Sequence, residues 1–262
     1  MRSPILAFLT AAACGQPTAP AVPPRNVATP GVVVTIARDE PLGWLGLGLE
    51  RTRDGGSWIP AASQFGALTL TDDPLPAKVT VIGVSGSPQL LTVADSVAIK
   101  YGCDENTLGV HPLVGPRLPP GAAWVLPPTA PASWTPAAIE VRSTHADPTR
   151  HSYAAGSLTF ELTRKTDARG RLQIFRDGRQ LHDATFERGD MDGADTAPID
   201  LGEGGPGVPQ PIAVWSIAPS GPFLVVMLHP GYEGVTLEPV LVEDTGARVL
   251  EGMSMYLYSC AF

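Results

Sequence analysis

Residues 157–186 read SLTFELTRKTDARGRLQIFRDGRQLHDATF, and the fold class follows from how this stretch alternates. Ser157 to Arg164 places apolar and polar side chains on opposite faces, the period-2 signature of a half-buried strand. Lys165 to Gly170 is rich in turn residues, and Arg171 to Phe175 returns with the same alternation. Asp177-Gly178 then separates this run from Gln180 to Phe186, and Asp-Gly between alternating runs is a strong hairpin signal. The stretch predicts a three-stranded antiparallel meander. Its outward residues Glu161, Arg164, Arg171 and Gln173 are polar, so one face of the meander meets water.

The same punctuation extends in both directions. Upstream, Gly31 to Ala37, Leu68 to Thr71, Lys78 to Val84 and Val97 to Cys103 are short apolar runs, with Ser85-Gly-Ser-Pro88 as a tight reversal. The proline-dense segment from Gly109 to Pro136 reads as an irregular crossover holding one short strand, Ala122 to Leu126, and marks the best boundary between two halves. Downstream, Gly189 to Pro211 reads as a long polar loop. Ile212 to Ile217, Pro222 to Leu228, Val235 to Val242 and Met253 to Phe262 follow it, the last apolar on both faces as a central strand would be.

The chain has 262 residues, of which 28 are Gly and 28 are Pro, too many interruptions for a helical bundle. We therefore expect an all-β protein, an antiparallel β-sandwich or two packed small β units, with few or no long helices. The expected organisation is a leader over 1–14, a tether over 15–30, and β halves over 31–136 and 137–262 that form either one domain or two. Eighteen Lys and Arg stand against 26 Asp and Glu, a net charge of -8. No basic cluster is dense enough to track phosphates, which argues against a nucleic-acid partner.

The first fourteen residues are MRSPILAFLTAAAC. Arg2 precedes an apolar run from Ile5 to Leu9, and small residues lead into Cys14, the order of a secretory signal. The run is shorter than the ~20 apolar residues that cross a bilayer. With Ala12 and Ala13 before Cys14, the segment resembles the lipobox of bacterial lipoproteins, although Ala11 stands where leucine or valine is usual. The resemblance implies that Cys14 becomes the lipidated N-terminus. Gly15 to Pro30 carries five prolines and suits a semi-rigid spacer between lipid and domain. If Cys14 is lipidated, Cys103 and Cys260 remain as an even pair in a compartment that permits disulfides. They form either a disulfide or two buried free thiols.

Candidate sites are sparse. Asp190, Asp192 and Asp195, with Asp200 downstream, put hard oxygens on a glycine-containing loop as Ca²⁺ requires, yet their spacing departs from the EF-hand loop. A solvated acidic loop explains the same residues. His145, Asp147 and His151 offer imidazole and carboxylate ligands at a spacing that matches no established metal motif, and Asp147-Pro148 also reads as a turn. His229 and Glu233 flank a Pro-Gly turn that would place a base beside an acid at a loop tip. Trp44, Trp58, Trp124, Trp134 and Trp215 neighbour Gly or Pro, and each either stacks on a ligand or caps the core. No CxxC, HExxH, phosphate-loop or dinucleotide fingerprint occurs, and Gly83-Val-Ser-Gly-Ser87 is not a nucleophile elbow.

These features point to a lipid-anchored extracytoplasmic β domain in the cell envelope that binds an envelope protein or glycan, or contributes structure there. Ordinary secretion is the alternative location. The competing functions are a metal-dependent hydrolase using the Asp190–Asp195 loop or the His145/His151 pair, and a carbohydrate-binding module using exposed tryptophans.

Overall fold

A computed structural model describes residues 31–33, 44–48, 76–95, 97–101, 106–116, 121–126, 133–142, 147–187, 198–201, 208–230, 234–250 and 254–258. They contain no helix and form three antiparallel sheets, as the sequence predicts for an all-β chain.

The first sheet holds β1 (Gly31–Val33), β2 (Trp44–Gly48), β3 (Lys78–Gly83), β4 (Gln89–Val93), β5 (Val97–Tyr101), β6 (Asn106–Val114) and β7 (Gly121–Leu126). Its order is β1-β2-β7-β3-β4-β6-β5, and a further β1–β6 pairing closes six of these strands into a ring. Val79, Val81, Leu91, Leu113, Ala123 and Val125 fill one face of this sheet as a cluster of their own. The reversal at Ser85–Pro88 joins β3 to β4, and Gly86 there adopts φ 84°.

The remaining strands are β8 (Thr135–Pro136), β9 (Ile139–Val141), β10 (Arg150–Ala155), β11 (Leu158–Arg164), β12 (Arg169–Arg176), β13 (Arg179–Glu187), β14 (Gln210–Ser216), β15 (Phe223–Pro230), β16 (Gly234–Glu243), β17 (Gly246–Val249) and β18 (Met255–Tyr258). Strands β9 to β13 run as a five-stranded meander in chain order. The expected three-stranded unit forms its core, extended by β9 and β10. Asp177 and Gly178 both have positive φ, 49° and 82°, as a type I′ hairpin turn requires. The third sheet has the order β17-β16-β15-β14-β8, with β18 also pairing β16.

That third sheet is the middle layer, and the alternation of its side chains shows why its strands are apolar throughout. Val214, Phe223, Val225, Met227, Val240 and Val242 face the meander and pack on Tyr153, Phe160, Leu162, Leu172, Ile174 and Phe186. Their chain neighbours Ala213, Trp215, Leu224, Val226, Leu237 and Leu241 face the other way, onto Ile82, Ala122, Trp124 and Leu126 of the first sheet. Trp215 Nε1 donates to the Gly83 carbonyl at 2.8 Å inside this second interface, and its ring lies 6.4 Å from that of Trp124.

Several local expectations need correction. The segment Gly109 to Pro136 is not an irregular crossover with one strand, because β6 runs through Gly109 and Pro112 and β8 closes the segment. Proline's fixed φ is compatible with an extended chain wherever its missing N–H costs no ladder bond. Pro239 shows one way to meet that condition: it sits between the residues of β16 that pair β18 and those that pair β17. Its carbonyl accepts from Leu250 N at 2.9 Å. The C-terminal run is not a central strand among the described residues either; β18 pairs only β16, end to end with β17 along one edge. The polar loop after β13 also contributes to the core, since Ile199, Leu201 and Val208 are buried against the meander. Leu68 to Thr71 lies outside the described residues.

Candidate functional site

Three strands bring ionisable side chains together between the meander and the middle sheet. On β13, Phe186 is buried and Ala184 and His182 occupy the next inward places by alternation, with His182 opposite Ile174 of β12. On β15, Phe223, Val225 and Met227 lead to His229, and on β16, Val242 and Val240 lead to Glu238. Each apolar stripe therefore ends in a titratable residue, and all three ends meet at one margin of the inter-sheet space.

His229 Nε2 lies 3.3 Å from Glu238 Oε1, with their side chains 30% and 29% exposed. The contact is long, and the buried Nε2 makes no hydrogen bond of good geometry. His229 is nonetheless the strongest influence on Glu238, holding the carboxyl below its ordinary value against the opposing effect of burial. Burial pushes the His182 imidazole below its ordinary value; Glu238 and Asp183 counter this, and His229 adds to it.

The expectation for His229 is thereby corrected. It sits within β15, not at a loop tip, and its carboxylate partner is Glu238; Glu233 lies outside the described residues. Neither His182 nor Glu238 stands out in the sequence. The available signal is parity: His182 is four residues before Phe186, hence on the same inward face of an alternating strand.

The second polar feature is a cavity of about 230 Å³ lined by Arg150, His151, Ser152, Glu161, Leu162 and Thr163, where β10 runs beyond the end of β9. His151 is 5% exposed, and its ring meets Tyr153 edge-on at 4.6 Å. Burial raises the Tyr153 hydroxyl's pKa. His151 is therefore a strand residue facing inward, not half of a surface cluster. Asp147 serves its own turn, accepting from Thr149 N at 2.8 Å and Thr149 Oγ1 at 2.6 Å, and these bonds hold its carboxyl below the ordinary range. His145, Asp190, Asp192 and Asp195 lie outside the described residues, as do Cys14, Cys103, Cys260 and Trp58. Among the described residues, no three His, Cys, Asp or Glu groups converge closely enough to hold a metal ion.

Trp124 is 0% exposed and Trp134 4%, both within the cluster that joins the first sheet to the middle one. Of the two readings, ligand contact and core, both residues follow the core, where an indole buries more apolar area than most side chains. Trp44 lies on β2. No helix among the described residues is long and apolar enough to cross a membrane. Comparison with protein-family models, characterised proteins and solved structures finds no match to this chain.

Proposed function

We propose that this chain is a lipid-anchored extracytoplasmic β module that binds another component of the cell envelope. The observation that carries the reading is the N-terminal order: Arg2, an apolar run, three alanines, Cys14 and a five-proline spacer. A lipid on Cys14 would fix one end of a semi-rigid tether, and the three-layered β body would be presented at its other end. The sandwich suits such a role, because strands buried on both faces make a rigid scaffold for loops and outer sheet faces.

The test is the mass of the mature N-terminal peptide from the full chain expressed in a bacterium with lipoprotein processing. The expected result is an acylated Cys14 and a membrane-associated protein that Cys14→Ser releases to the soluble fraction. An unprocessed Met1, or a mature N-terminus elsewhere, overturns the proposal. Stoichiometric Zn²⁺ in the purified protein, lost in His145→Ala, would move the reading to a metal-dependent hydrolase.

A further inference from the structure

We propose that His182, His229 and Glu238 form an acid-operated latch between the meander and the middle sheet, one carboxylate facing two imidazoles, which loosens β13 when His182 is protonated. The inference stands apart from the proposed anchor and concerns the folded body alone.

The placement carries it. On β15 and β16, His229 and Glu238 are the next inward residues after Met227 and Val240, and on β13 His182 follows Phe186 and Ala184, beside the register shift where Leu181 also packs on the core. The elements packed around them supply little other charge. Ile174 of β12 lies opposite His182, Met227 of β15 pairs with both Glu238 and Pro211 of β14, and the inward residues of β17 are Ala247 and Val249. Among the described residues, the titratable groups that act on His182 are Glu238, Asp183 and His229. Asp183 points to the outer face, where Arg171 holds it through an Nε–Oδ1 bond of 2.7 Å.

Charge counting gives the direction. Glu238 is the one carboxylate facing the cluster among the described residues, and its closest contact is with His229. A proton on His182 therefore adds a positive charge to a half-buried site whose carboxylate is already engaged, which is costly. The element that yields is β13. It is the edge of the meander, paired among the described residues only to β12, and its register shifts between Ile174 and Phe175, beside His182. Edge strands with a bulge have fewer ladder bonds to hold them.

The sign follows from the lowered pKa of His182. Its folded value lies below the ordinary 6.5, so below that pH the opened state takes up more protons than the closed one. The latch is fully closed above the ordinary value and weakens as pH falls from there. Glu238, also lowered, adds a further loss as pH falls below its ordinary 4.5.

Hydrogen exchange on the intact chain at about pH 7.5 and about pH 5.5, corrected for intrinsic rates, tests this. We expect amides of residues 179–187 to lose severalfold in protection on acidification while those of Leu158 to Leu162 hold. His182→Gln should abolish the difference. Glu238→Gln removes the counter-charge and should move the opening to higher pH, which keeps the test decisive if His182→Gln does not fold. Unchanged protection of 179–187 in the native protein, an unchanged response in His182→Gln, or an unmoved midpoint in Glu238→Gln each overturns the latch.

Discussion

Replacing Trp215 by Phe tests whether the first sheet is held to the middle sheet by a specific contact or by apolar area alone. Trp215 is fully buried, and its indole nitrogen donates to the Gly83 carbonyl across the interface at 2.8 Å. Phenylalanine keeps an aromatic ring but removes the donor, leaving that carbonyl without this partner, a loss of about 1–3 kcal/mol. The smaller ring also forfeits contacts with Trp124 and its neighbours, about 1 kcal/mol more. The sum is about 2–4 kcal/mol, and at about 2–4 °C per kcal/mol for a chain of this size the melting temperature should fall by about 4–16 °C.

The measurement is thermal unfolding followed by circular dichroism, with hydrogen exchange to locate the loss. Protection should fall most in β3 and β7, which supply Ile82, Trp124 and the Gly83 carbonyl. A destabilisation under about 1 kcal/mol would mean that the hydrogen bond is readily replaced and that the interface is held by burial alone. An equal loss of protection in the meander would show that the three layers unfold as one unit.

Two glycines of the meander separate crowding from backbone strain. A Cβ at Gly170 would clash with the Cζ end of the Phe186 ring, so Gly170→Ala should cost about 1–3 kcal/mol or more as an overpacked core does. Gly178 has open space around it but φ 82°, so Gly178→Ala should cost about 1–2 kcal/mol from conformation alone. Chemical denaturation distinguishes them, because Phe186→Leu should relieve the first variant and leave the second unchanged. Arg176 pairs with Asp244, donates to the Ser220 carbonyl at 2.9 Å and stacks over Phe223 at 5.3 Å, with its side chain 14% exposed. Arg176→Ala should therefore lose about 1–3 kcal/mol, whereas Asp244→Asn, at a side chain 77% exposed, should stay within about 1 kcal/mol; equal effects would assign the stability to the surface ion pair.

The meander is legible in the sequence because two local signals coincide there. Period-2 alternation and an Asp-Gly turn each demand the same hairpin, and neither depends on the rest of the chain. Strand β6 is not legible, since Pro112 and Gly109 lower the local preference for a strand and only its neighbours β1, β4 and β5 restore it. His151 illustrates a different failure. Next to Asp147-Pro148 it reads as a loop residue, yet Thr149 ends the turn and Tyr153 and Ala155 continue an inward stripe from position 151. The cluster of His182, His229 and Glu238 is hidden for a third reason: its members come from two sheets, and sequence spacing carries no information about which strand ends face each other across a sandwich.

Layering also constrains where a partner can bind. The middle sheet is covered on both faces, by the meander and by the first sheet, so recognition must use outer faces, edges or loops. On the outer face of the meander two ion pairs, Arg171 with Asp183 and Arg169 with Glu187 at 2.8 Å, lie beside the bond from Gln173 Nε2 to Gln180 Oε1 at 2.6 Å. Charges paired in this way exert less long-range field than isolated ones. The first sheet differs, because Leu90 and Val114 are more than half exposed on β4 and β6, whose pairing places Val114 opposite Thr92, two residues from Leu90 and on the same face. A partner recognised there would gain from burying apolar area, and its affinity should change little with salt; binding to the meander's outer face would weaken only where it broke those internal pairs.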